Sequence, residues 1–178
     1  MSLRSLWPDA SDAPGSNVTT LLERLAGEPV RAQVLRQELT PVERSDGAAD
    51  RGLWAPDEEV LRRSVLLRGA TSGRAYLHAT ASIAVRRLPV AVRMGLLRSD
   101  IPLGRLLHDA QVRIVRTELF EADQHLGELC PWFDGLPPAT RAVRRSYVMR
   151  LDDGAAVAHL VETFPVSVTQ AELVATQL

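Results

Sequence analysis

The stretch Val60-Leu61-Arg62-Arg63-Ser64-Val65-Leu66-Leu67-Arg68-Gly69-Ala70-Thr71-Ser72-Gly73-Arg74-Ala75-Tyr76-Leu77-His78-Ala79-Thr80-Ala81-Ser82-Ile83-Ala84 decides the architecture. Two runs of alternating apolar and polar residues flank a Gly-Ala-Thr-Ser-Gly turn at 69–73, which predicts a β-hairpin with strands over 60–68 and 74–84. The end of the chain repeats the signature: Ala142–Leu151, the turn Asp152-Asp153-Gly154, then Ala155–Phe164. Two single strands are expected besides. Val30, Ala32 and Val34 alternate with Arg31 and Gln33 over Pro29–Glu38, and Gln111–Phe120 alternates in the same way.

Helical spacing appears between these runs. Val18, Leu21, Leu22 and Leu25 recur until Gly27, with Ser16 or Asn17 as the capping residue. Pro89–Arg98 reads as a second helix and Pro102–Leu107 as a short third, with the proline at its first position. A further helix is expected from Thr169. Residues 40–57 and most of 121–141 read as loop, and 1–15 as an irregular leader. The fold class is therefore α+β: a six-stranded antiparallel sheet with helices packed on it, in one domain over 16–178.

Composition narrows the function classes. All 21 basic residues are Arg against 22 acidic ones, for a net charge of −1. Without Lys there is no Schiff-base chemistry and no P-loop lysine. The single Cys130 excludes a disulfide framework and multi-thiolate metal sites. Balanced charge argues against nucleic acid, and no run approaches the roughly 20 apolar residues of a membrane-spanning helix. The expectation is a cytoplasmic protein with no cofactor and no metal, a small-molecule partner, and a monomer by default.

The informative charges lie on apolar strand faces. Residues two apart in a strand share a face. Arg63 falls with Leu61, Val65 and Leu67; Arg116 with Val112, Ile114, Glu118 and Phe120; Arg145 with Val143, Tyr147, Met149 and Leu151. Glu162 falls with Ala158, Leu160 and Phe164. Buried charges need partners, so either these groups pair among themselves or near strand ends, or the arginine surplus binds a small anion. The helix starts at Pro102-Leu103-Gly104-Arg105 and Asn17-Val18-Thr19-Thr20 add amides that favour an anion. His78, His108, His125 and His159 lack metal spacing, and His78 and His159 fall on polar strand faces, as surface or structural groups. Ser64 and Ser146 read as ordinary strand residues, Cys130 as a small buried one, and Trp132 with Phe133 as anchors of a mobile segment over the site.

Five segments in order bring a family into view. Leu61-Arg62-Arg63-Ser64-Val65-Leu66-Leu67, Ile101-Pro102-Leu103-Gly104-Arg105-Leu106-Leu107, Arg144-Arg145-Ser146, Val161-Glu162-Thr163-Phe164-Pro165 and Ser16-Asn17-Val18-Thr19 with Leu22-Glu23 resemble segments of the chorismate pyruvate-lyases (4-hydroxybenzoate synthases) of the chorismate lyase-like family. The resemblance implies an internal ligand site and a carbon–oxygen lyase converting chorismate to 4-hydroxybenzoate and pyruvate, driven by aromatisation, without metal or cofactor. It implies Arg63 as the substrate-contacting arginine and Glu162 as the catalytic carboxylate. The amides of Leu103 and of Val18 or Thr19 would hold the ring carboxylate, with Arg116 and Arg145 as electrostatic support. The same fold occurs as an effector-binding domain of transcription regulators, so a non-catalytic sensor of a small aromatic acid is the alternative. That reading expects a fused helix-turn-helix, for which residues 1–15 are too short. A related lyase giving another hydroxybenzoate is the third reading.

Overall fold

Strand pairing organises the chain. The computed structural model describes residues 18–42, 52–98 and 100–166. Helix α1 covers Val18–Ala26, followed by strands β1 (Val30–Pro41), β2 (Glu59–Gly69) and β3 (Ala75–Ile83). A 3-10 turn at Val85–Arg87 leads to α2 (Val90–Arg98) and α3 (Leu103–Asp109). Then come β4 (Val115–His125), a 3-10 segment at Gly127–Trp132, β5 (Arg141–Arg150) and β6 (Ala156–Pro165). The strands form one six-stranded sheet in the order β1-β2-β3-β6-β5-β4, antiparallel throughout. The expected α+β class and strand number hold. The leader 1–15, the cap at Ser16 or Asn17 and the helix from Thr169 lie outside the described residues.

Two strands depart from the expected pattern. β4 begins later than position 111 and continues to His125, through residues expected as loop. Its register slips between Thr117 and Phe120, where Glu118 takes a left-handed φ of 57°. The slip ends the strict alternation, so Glu118 and Phe120 do not share the buried face with Arg116, and Phe120 is 58% exposed. Val112 and Ile114 precede the strand. β1, likewise, has a bulge after Val34, and Val34 is 39% exposed rather than buried.

Registers across the sheet divide its residues into two faces. Leu61, Ile83, Ala158 and Met149 stand side by side on the inner face, under α2 and α3, and belong to the largest apolar cluster. Leu67, Leu77, Val143 and Phe164 stand on the same face at the other end, under α1. The outer face carries Ser64 paired with His78 (3.0 Å) and Ser146 paired with His159 (3.0 Å). His78 is thus buried, the structural rather than the surface alternative, and burial pushes its imidazole below the ordinary value of 6.5. Phe133 packs with Leu66 and Leu126 against this outer face, so the 3-10 segment and Trp132 do not sit over the inner face. Cys130 is half-buried there.

The turn from β2 to β3 is tied down by Glu28. Its carboxylate accepts hydrogen bonds from the Ser72 hydroxyl (2.5 Å), the Tyr76 hydroxyl (2.7 Å) and the amides of Thr71 (2.7 Å) and Ser72 (2.9 Å). Gly69 leaves room for this approach: a Cβ there would stand 2.1 Å from Glu28 Oε1, and that carboxylate would have to shift. The bonds from Ser72 and then Tyr76 hold the carboxyl at about 2, against 4.5 unperturbed.

Two acid steps in stability follow. The folded state keeps His78 neutral, so stability is complete above pH 6.5 and declines as pH falls below it. The folded state keeps Glu28 ionised, so its contribution is present above 4.5 and is lost as pH falls towards 2. Melting temperatures measured across pH should show both declines. His78→Gln should remove the upper one and Glu28→Gln the lower.

Candidate functional site

A cavity of about 70 Å³ lies between the inner face and the starts of α1 and α3, bordered by Val18, Thr19, Leu103 and Gly104. Its floor follows from the register. Arg63 on β2, Ala81 on β3, Leu160 on β6 and Tyr147 on β5 form one cross-strand row, and Val65, Ala79, Glu162 and Arg145 form the next. Two alanines on β3 therefore separate Arg63 from Glu162, and their small side chains leave the space between. The remaining lining is largely apolar.

The charged groups differ sharply in their company. Arg145 and Glu162 are opposite each other in the β5–β6 register, and each is buried. Arg145 donates to Glu162 Oε2 through Nη2 (2.7 Å) and Nε (3.1 Å), while the Tyr147 hydroxyl donates to Oε1 (2.9 Å). Both carboxylate oxygens are engaged. Burial by itself would lower the Arg145 guanidinium, but Glu162 outweighs it and holds the group above the ordinary arginine range. Burial and the adjacent Glu162 push the Tyr147 hydroxyl well up, so it stays a donor across the biological pH range. The Tyr147 ring also faces two cations, with Arg145 at 5.2 Å and Arg116 at 5.6 Å from its centroid.

Arg63 is buried at the cavity wall, where burial lowers its guanidinium and Asp100 partly offsets that. Arg116 lines the cavity from β4. The cavity rim is braced by Glu23 of α1, which accepts the Val30 amide (2.9 Å) at the start of β1 and pairs with Arg105 of α3. That carboxylate fixes α1 and α3 relative to the sheet.

The geometry brings together Arg63, Arg116, Glu162, Val18, Thr19 and Leu103 around one space, with Arg145 behind Glu162. Ala79, Ala81 and Tyr147 line it as well, though sequence reasoning gave them no role. Tyr147 shares the strand parity of Arg145, and Ala79 and Ala81 share one parity of β3, which are the signals that identify them. Gln37, on the edge strand, is the cross-strand neighbour of Arg63, and its buried Oε1 has no hydrogen-bond partner among the described residues. No group of three or more His, Cys, Asp or Glu side chains among the described residues is placed to hold a metal ion.

No family model matches the chain. Its sequence is 26% identical over 120 residues to proteins named chorismate pyruvate-lyase from Mycobacterium tuberculosis and Mycobacterium bovis. The match covers 67% of this chain and 59% of those proteins, so it spans less than two thirds of the length of the curated relatives. Among solved structures, the effector domain of PhnF from Mycobacterium smegmatis superposes with a TM-score of 0.64 at 14% identity, covering 88% of this chain and 92% of that one. Full PhnF gives 0.63 at 13% identity, over 85% of this chain and 64% of that one. The possible transcriptional regulator YydK from Bacillus subtilis gives 0.64 at 13%, over 92% and 67%. Identities this low show the fold alone. The assignment to the chorismate pyruvate-lyases is overturned: the solved structures that share the fold are regulator domains, and the likeness to the lyases is weak and partial.

The buried pair predicts an asymmetric response to mutation. Arg145→Met should cost about 3–5 kcal/mol in urea unfolding, because it leaves Glu162 as an uncompensated buried charge. Adding Glu162→Gln to that variant should recover part of the loss.

Proposed function

We propose that the chain binds a compact organic acid with an apolar body, a small aromatic acid in the first instance, and releases it unchanged. The single observation behind this reading is the engagement of both Glu162 oxygens by Arg145 and Tyr147. A carboxylate whose two oxygens already accept three hydrogen bonds has little acceptor capacity left for a substrate hydroxyl. The ligand's negative charge would meet Arg63 first, with Arg116 and the first-turn amides of Leu103 and of Val18 or Thr19 around it. Among the lining side chains two arginines, Arg63 and Arg116, accompany one carboxylate, Glu162, and the apolar remainder suits a ring or alkyl body.

The cavity is about 70 Å³, roughly half of the ~150 Å³ in which a benzene ring is held in an apolar core, so even a benzoate-sized guest requires α1 and α3 to move away from the sheet. A bulky dianion such as chorismate demands a larger opening between α1, α3 and the sheet than a compact monoanion does. The likeness to regulator domains favours a sensing role, with residues 16–178 as one binding unit behind the leader 1–15.

Titration calorimetry with benzoate and 4-hydroxybenzoate tests the proposal. Saturable binding is expected, and Arg63→Leu should weaken it by about 10- to 100-fold, the loss of one charge-assisted contact. Ala81→Leu, which fills the floor, should abolish binding while the protein remains folded. Incubation with chorismate separates the lyase reading. Appearance of 4-hydroxybenzoate and pyruvate in step with enzyme concentration would overturn the binding-only assignment.

A further inference from the structure

One edge of the sheet carries a self-complementary sequence. β1 is an edge strand, and the amide of Ala32 is covered by the carbonyl of Asp100 (2.8 Å). Beyond the bulge, no described strand lies on its outer side. That stretch reads Leu35-Arg36-Gln37-Glu38-Leu39, in which inverting the order about Gln37 exchanges Arg with Glu and Leu with Leu. Arg36 and Glu38 lie on the same face, opposite Ser64 and Arg62 in the β2 register, and contact each other at 2.8 Å. Their side chains are 78% and 49% exposed. Val34 and Leu39 are exposed apolar residues at 39% and 46%.

We propose that this edge pairs antiparallel with the same segment of a second copy, about a two-fold axis through Gln37. In that register Arg36 of each copy stands opposite Glu38 of the other, on one face of the joined sheet. The two Gln37 backbones cross at the axis. Leu39 of each copy comes opposite the bulged Val34–Leu35 pair of the other, which covers the apolar residues that β1 leaves open. Two ion pairs and two apolar contacts arise from one short segment because a two-fold contact uses every residue twice. The other edge does not offer this: β4 is interrupted by the register slip at Thr117–Phe120 and by the left-handed Glu118. A contact of this length is small beside the ~1,600 Å² of a standard interface, so association depends on concentration. The inference is independent of what the cavity binds.

Sedimentation velocity over a concentration series tests it, together with two charge-reversed variants. The wild-type protein should shift from monomer to dimer as concentration rises. Arg36→Glu places Glu opposite Glu38, and Glu38→Arg places Arg opposite Arg36, so each variant alone should stay monomeric. An equimolar mixture of the two restores opposite charges at every position and should form a heterodimer. Both sites are exposed, and circular dichroism checks that the variants are folded. Amide exchange of 36–40 in the wild-type protein should slow with concentration. A wild-type protein that stays monomeric, dimers that persist in either single variant, or a mixture that does not associate would each overturn the proposal.

Discussion

The cross-strand pair of Arg145 and Glu162 is the constraint on which the inner half of the sheet depends. Two opposite charges are removed from water at the centre of an apolar face, and they are tolerable only where geometry lets each satisfy the other. The β5–β6 register supplies that geometry by placing them directly opposite, and Tyr147 completes the acceptor capacity of the carboxylate. A shift of one residue in register would turn the set to solvent and bury His159 and Ser146 in its place. The pair therefore fixes register as much as it fixes charge.

From this follows the character of the cavity. The arginine that neutralises Glu162 lies behind it, so the cationic groups that line the open space, Arg63 and Arg116, are not the ones bound to the carboxylate. Ala79 and Ala81 keep the row between Arg63 and Glu162 low, and the helix starts close it from above. Among the described residues, the one carboxylate that lines the cavity already has both oxygens engaged, by Arg145 and Tyr147.

Much of the architecture was legible from alternation. The hairpins, the class and the inward placement of Arg63, Arg145 and Glu162 all follow from residues two apart sharing a face. Alternation failed where the backbone departs from regular strand geometry, at the bulge of β1 and the slip in β4, because nothing at Val34 or Glu118 marks an extra residue. It also could not say which charges pair, since that depends on which strands are neighbours. Strand β6 lies between β3 and β5, an order that local sequence does not encode. Short segments likewise resembled a lyase family, but motifs that build a fold recur wherever that fold is used, and the fold here is shared with regulator domains.

Glu23 links ligand size to the edge of the sheet. Its carboxylate holds the Val30 amide at the first residue of β1 while pairing with Arg105 on α3. Any movement that lifts α3 from α1 to admit a bulkier guest must strain those contacts, and the strain arrives at the start of β1. Beside it stands Glu28, whose carboxylate carries the next link to the β2–β3 turn. The volume enclosed between the helices and the position of an outer strand are thus mechanically connected through two carboxylates five residues apart in the chain.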